Sequence, residues 1–183
     1  MSSRRVVVTG LGLVSPLGNT VPETWEALCN GKSGIGPLTA IDASGLATRI
    51  AGEVKNFDVT DFISAKEARR YDVFMHYGLA AAQEALQEAG LLEADHGVDT
   101  ERVGLAVGAG IGGIASIEDA MLTYRDKGPR RISPFYIPGS IVNMVSGVLS
   151  ITYGFKGPNI AVVTACTTST HNIGLAARMI QYG

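Results

Sequence analysis

The chain has 183 residues, 46% hydrophobic and 17% charged, with a formal net charge of −2. It is long enough for a substantial buried core, and its composition excludes a disordered segment. The absence of a basic excess excludes a general nucleic-acid binder. Two widely spaced cysteines give neither a metal-ligand spacing nor a disulfide framework. No run of about 18 apolar residues offers a membrane span, so neither metal nor membrane is expected. The reducing cytoplasm, where free thiols persist, is the expected location.

Arg5–Thr9 reads as a buried strand broken by Gly10-Leu-Gly12. Its apolar run is too short for a signal peptide, and no small-residue cleavage site follows. Thr20-Val-Pro-Glu23 is a capping box with proline just inside the helix. The helix it opens places Trp25, Leu28 and Cys29 on one apolar face and stops at Gly31, which assigns Cys29 to the core. Residues 32–60 are loop-rich, with a strand expected near 48–54. A long helix is expected from Ala65 to Ala89, closed by Gly90.

Arg102–Val107 reads as a second buried strand, followed by Gly108-Ala-Gly110-Ile-Gly112-Gly113. Ser116 to Asp119 is a cap-like start for a helix reaching Lys127. Ile141–Tyr153 is a further apolar helix, Asn159–Val163 a third strand, and Cys166–Tyr182 the last helix. Alternating strands and helices with short turns argue for an α/β layered fold with a largely parallel sheet. A strand is expected after the last helix, and the chain ends at Gly183 before it.

The strand-to-helix junction at Thr164-Ala165-Cys166-Thr167-Thr168 is where chemistry is expected. A turn there lifts a side chain clear of the sheet, and unpaired N–H groups at a helix start favour an anion. For cysteine such a position lowers the thiol pKa, and backbone N–H groups can hold a developing oxyanion. An inert cysteine at a helix start satisfies the same local pattern. A reactive one needs a base, and the three histidines offer none. His171 lies five residues on, about 140° round the helix from Cys166. Nothing ties His76 to the site, and His96 sits in a polar turn.

Several ordered motifs carry a resemblance: Val6–Gly18 (VVVTGLGLVSPLG), Gly108–Gly113, Ile132-Ser-Pro-Phe135, Ile141-Val-Asn-Met144, Gly157-Pro158, Thr164-Ala-Cys-Thr167 and His171-Asn-Ile-Gly174. Together they resemble the beta-ketoacyl-[acyl-carrier-protein] synthases, especially those of type II bacterial fatty-acid synthesis. The resemblance implies the thiolase-like α-β-α-β-α layered fold and a homodimer needing no cofactor. Residues 1–183 then correspond to most of the N-terminal half, with the C-terminal half and its assisting histidines and lysine absent.

It also implies that Cys166 accepts an acyl chain from acyl carrier protein. The thioester is then attacked by the carbanion from decarboxylated malonyl carrier protein. Ile111 matches the gate of the acyl pocket, and Ala165 its wall near the thioester. Tyr136 and Ile137 match its far end, where the family more often carries Phe at the position of Tyr136. Lys66, Arg69, Arg70, Arg130 and Arg131 match the docking patch for the acidic carrier, although such clusters taken alone are solvated surface. Positive charge there would steer an acidic partner.

Other readings compete. Gly108-x-Gly110-x-x-Gly113 has dinucleotide-fingerprint spacing, but the acidic residue expected about 20 positions on is replaced by the basic turn Lys127–Arg131. A polyketide ketosynthase shares the motifs. A noncatalytic chain-length partner would typically lack the cysteine, and a cysteine hydrolase would need a histidine against it.

Overall fold

The computed structural model describes residues 4–183. α1 (Val21–Cys29) precedes an antiparallel pair, β1 (Ile35–Pro37) and β2 (Ile50–Gly52), with Ile35 opposite Gly52. α2 (Ala65–Ala68) and α3 (Val73–Glu88) follow, then β3 (Leu105–Ala106), α4 (Ile114–Lys127), α5 (Tyr136–Ser140), α6 (Met144–Tyr153), β4 (Asn159–Ile160) and α7 (Thr168–Tyr182). β3 and β4 pair in parallel, Leu105 beside Asn159 and Ala106 beside Ile160. Parallel neighbours need a crossover, and α4, α5 and α6 supply it. The expected strand near 48–54 is found as β2. Those expected at 102–107 and 159–163 are present but each is reduced to a two-residue ladder.

The core is built where α3 lies on α6. Met75 and Leu79, one turn apart, meet Val145, Val148 and Leu149 of α6, and all five are buried. Leu105 and Val107 close the cluster from the β3 side, with Tyr71, Phe74 and Tyr153 at its edge. Gly78 sets the helix separation: a Cβ there would lie 3.0 Å from Val145 Cγ1. Truncating a buried leucine such as Leu149 in a cluster of this kind costs about 2–5 kcal/mol.

Four expectations are corrected. Residues 5–9 form no strand. Val7 and Val8 are exposed, and the residues that follow, 10–13, run against α3, where a helix offers no strand ladder. Leu13 N–H donates to the Glu84 carboxylate (2.9 Å), Val21 N–H to its other oxygen (2.8 Å), and Leu11 N–H to Glu88. Gly10 and Gly12 permit this approach, since a Cβ at Gly12 would lie 1.7 Å from the Ala81 carbonyl oxygen.

The second correction concerns α1. Its buried face is Thr24 and Ala27, while Trp25 (66% exposed), Leu28 and Cys29 point outward. The Thr24 hydroxyl hydrogen-bonds Ser15 Oγ (2.9 Å), so the small polar side of the helix sits on the Ser15–Gly18 turn. Cys29 is therefore not a core residue. Thr20 does cap Glu23 N–H, but the Glu23 carboxylate reaches back to Asn19 N–H, one residue beyond the expected partner.

Third, the expected helix over 65–89 is two helices. α2 is opened by a full Ser64–Glu67 capping box and ends at its C-cap, Arg69. The chain then turns, because Asp72 N–H donates to the Gly139 carbonyl (2.9 Å) and the Asp72 carboxylate caps α3 at Phe74 N–H. Fourth, α4 starts at Ile114, and Ser116 lies inside it rather than capping it. The helix expected from Ile141 begins at Met144, and the short α5 precedes it.

The chain exposes 12222 Å², against about 8400 Å² for an independent folded protein of its mass. Large apolar side chains account for part of that surplus, among them Trp25, Ile151 and Tyr182. Gly12→Ala is expected to destabilise the fold by about 3 kcal/mol or more in urea unfolding. Gly45→Ala, which meets nothing within 4 Å, should stay within about 0.5 kcal/mol of the parent. Equal effects would show that close backbone contact with α3 is not what Gly12 supplies.

Candidate functional site

Cys166 sits in a single 3-10 turn, Ala165–Thr167, between β4 and α7, and is exposed. The turn is tight because Ala165 takes φ +52°, a left-handed conformation that an alanine adopts at a cost of about 1–2 kcal/mol. Neighbouring side chains hold it there. Thr164 N–H donates to Thr168 Oγ1 (3.0 Å), and Thr167 Oγ1 donates to the Thr164 carbonyl (2.8 Å). Both hydroxyls thus bind backward to the strand end, and neither caps α7.

The deeper anchor is Asn172, 2% exposed. Its Oδ1 accepts Val162 N–H (3.0 Å), and its Nδ2 donates to the carbonyls of Val162 and Thr168 (both 2.8 Å). One amide therefore fixes the strand end and the first turn of α7 on either side of Cys166. Sequence reasoning named Thr168 and Asn172 within their motifs but did not connect the two. Their signal is a polar pair four residues apart on a helix whose start is already constrained.

The glycine loop 108–113 forms the other wall. A Cβ at Gly108 would fall 2.5 Å from the Val162 carbonyl oxygen, and one at Gly110 would lie 3.4 Å from that of Ala165. These glycines serve close passage beside the cysteine turn. Ile111, at the loop's crest, is 66% exposed.

All three histidines are occupied elsewhere. His171 Nδ1 and Thr164 Oγ1 share a 2.7 Å hydrogen bond, His76 Nε2 donates to the Ala68 carbonyl (3.0 Å), and His96 Nδ1 accepts Val98 N–H (3.1 Å). Among the described residues none hydrogen-bonds the Cys166 thiol. No cluster of metal-ligating side chains is found among them either, and no helix is long and apolar enough to cross a membrane.

The two basic clusters, some 60 residues apart in sequence, partly converge. Arg69, Arg70 and Arg131 line one cavity of about 290 Å³ together with Tyr71, Ser116 and Tyr136. Arg70 stacks over the Phe135 ring at 4.3 Å, a cation–π contact. Lys66 and Arg130 are exposed outside that lining, and Ile137 is exposed on α5. Tyr136 therefore stands with the arginines. Beneath them, the Ser64 hydroxyl and then its N–H hold the Glu67 carboxyl below the ordinary carboxylate range.

Comparison with known proteins identifies this arrangement. Residues 3–183 match the family model described as beta-ketoacyl synthase, N-terminal domain. Two relatives named 3-oxoacyl-[acyl-carrier-protein] synthase 2 match across the full chain and 44% of their own length. They come from Vibrio harveyi (54% identical) and Coxiella burnetii (53%). A solved type II polyketide acyl-carrier protein in complex with its ketosynthase matches with TM-score 0.83 and 29% identity, over 99% of this chain and 49% of that one. The chain belongs to the beta-ketoacyl synthase family and carries the N-terminal part of its thiolase-like fold. It spans under half the length of the curated relatives it matches.

Asn172→Leu removes an acceptor and two donated hydrogen bonds while keeping much of the volume. It is expected to cost about 2–3 kcal/mol in urea unfolding, since the Val162 N–H and C=O are left without that partner. A loss under about 0.5 kcal/mol would show that the turn before Cys166 does not depend on the amide.

Proposed function

We propose that this chain is the nucleophile-bearing, N-terminal part of a beta-ketoacyl-[acyl-carrier-protein] synthase of fatty-acid elongation. The supporting observation is an exposed cysteine after a left-handed alanine, in a turn locked by a buried asparagine and walled by a glycine loop. In this reading the Cys166 thiolate attacks the carbonyl of a carrier-bound acyl thioester. The old C–S bond breaks, the carrier thiol leaves with a proton, and the acyl chain stays on Sγ. Decarboxylation of a malonyl thioester releases CO₂ and gives the carbanion that attacks the Cys166 thioester. A C–C bond forms and the thiolate is regenerated, leaving 3-oxoacyl carrier protein. Backbone N–H groups at the turn, that of Cys166 among them, would hold the oxyanion.

Ile111 gates the acyl pocket, Ala165 lines it near the thioester, and Tyr136 with Ile137 shapes its far end. Histidine and lysine partners for decarboxylation belong to the region that relatives carry beyond the matched part. The protein acts without a cofactor, as a cytoplasmic homodimer. Acidic carrier protein docks on Lys66, Arg69, Arg70, Arg130 and Arg131. The cavity shared by Arg69, Arg70 and Arg131 supports that assignment, as does the name borne by the Vibrio harveyi relative. A polyketide ketosynthase is the second reading, favoured by the polyketide complex at 29% identity. Relatives at 54% and 53% identity favour fatty-acid elongation.

Incubation with an acyl-carrier thioester followed by peptide mass spectrometry should find the acyl adduct on Cys166, and none after Cys166→Ala. An adduct absent from Cys166 would sink the reading.

A second test addresses docking. Arg69→Glu combined with Arg131→Glu spares the Arg70–Phe135 stack. The pair should slow acylation by carrier-bound substrate about tenfold or more and flatten its salt dependence, while a small thioester analogue reacts unchanged. Equal losses with both donors would remove the arginines from docking.

A further inference from the structure

We infer that Asp72 is a positioning residue for the glycine loop that carries Ile111, setting the gate of the acyl pocket from a distance. This rests on the reading of Ile111 and Cys166 proposed above. The chain of contacts runs from the buried carboxylate to the cysteine turn.

Asp72 is 7% exposed, and among the described residues no cation lies within ion-pair range of it. Its oxygens are instead divided between two helix starts. Oδ1 accepts Phe74 N–H in the first turn of α3 (3.5 Å), while Oδ2 accepts Ser116 N–H (2.9 Å) and the Ser116 hydroxyl (2.7 Å) in the first turn of α4. α4 has no cap of its own, because its N-cap is Gly113. The first-turn N–H groups of a helix need partners, and a negative group there is favoured by the helix dipole. Asp72 meets both requirements from another helix.

That cap reaches the loop directly. A Cβ at Gly113 would lie 2.9 Å from Asp72 Oδ2, and one at Gly112 would lie 2.6 Å from the Ser140 carbonyl oxygen. Gly113 N–H donates to that same carbonyl (2.8 Å), and Asp72 N–H donates to the next one back, Gly139 (2.9 Å). One end of the Ile111 loop is thus clamped between Asp72 and α5. The other end leans on the cysteine turn through Gly108 and Gly110. Freeing the clamp lets Ile111 move relative to Cys166 without altering any group that touches the reacting atoms. Ser116 also lines the arginine cavity, so the carboxylate lies between the docking surface and the gate.

The test compares the parent with Asp72→Asn, Ser116→Ala and Ile111→Ala, alone and combined. Asp72→Asn should slow Cys166 acylation by a long-chain acyl thioester about tenfold while changing acetyl transfer less than about twofold. Ser116→Ala, which removes only the 2.7 Å contact, should act in the same direction more weakly and guards against a misfolded Asp72 variant. With Ile111 already alanine, the Asp72 effect should vanish. Loss of the same size in that background, or equal loss for acetyl and long-chain donors, overturns the inference. Amide hydrogen exchange of residues 108–116 gives a second readout. Protection should fall in Asp72→Asn, and unchanged protection overturns the inference even if the parent is never acylated. An unacylated parent sinks the functional reading separately.

Discussion

Two side chains do the work that a longer strand ladder would do. The Ser146 hydroxyl, wholly buried, accepts Val107 N–H (3.0 Å), and its one proton is shared between the Val107 and Ile160 carbonyls (3.1 and 3.2 Å). Asn172 treats Val162 likewise, pairing with both its N–H and its C=O. Each presents a donor and an acceptor to one residue, as a neighbouring strand would. Buried backbone groups must find partners, and beyond the two ladder rungs of β3 and β4 these residues provide them. The cysteine turn depends on this arrangement, because Val162, held by Asn172, and Thr164, held by Thr168, fix the chain just before it bends left-handed at Ala165.

The same substitution explains why the strands were overestimated from sequence. Val, Ala and Ile runs report burial and extended backbone, yet Leu105, Val107, Ile160 and Val162 are only half-buried and Val163 is exposed. Such runs do not report whether the hydrogen-bond partner is a strand or a side chain from α6 or α7. The Val6–Val8 run failed more completely: it pairs with no strand among the described residues, and the chain just after it, at Leu11 and Leu13, bonds the carboxylates of Glu88 and Glu84 on α3 instead. The break at 69–72 was hidden for a related reason. Nothing local forbids a helix through Arg69-Arg70-Tyr71-Asp72, and the turn is imposed by Gly139, nearly 70 residues away in sequence.

What was legible was the part governed by local geometry. The 3.6-residue period placed His171 away from Cys166, and its ring is bound to Thr164. The glycines of 108–113 were legible as a motif, and at Gly108, Gly112 and Gly113 a Cβ would meet neighbouring backbone or side-chain atoms at under 3.0 Å. Cys29 was misjudged because amphipathic spacing identifies a stripe without saying whether the packed face is the large-residue or the small-residue one. On α1 the close approach of the Ser15–Gly18 turn selected Thr24 and Ala27.

The exposed area adds a constraint that no single contact reveals. The chain exposes roughly 3800 Å² more than an independent fold of this mass would. Exposed apolar side chains are spread over several faces: Trp25 and Leu28 on α1, Met121 and Leu122 on α4, Ile173 and Ile180 on α7. A cavity of about 810 Å³ lies along β3 and α7, lined by Leu105, Ile160, Ala176 and Met179. Large apolar side chains exposed in this way mark contact sites, here on more than one face. The turn around Cys166 is held within the chain by Asn172, Thr168 and the glycine loop. The local geometry of the nucleophile and the completion of the surface around it therefore rest on different sets of residues, so either can be perturbed while the other is left intact.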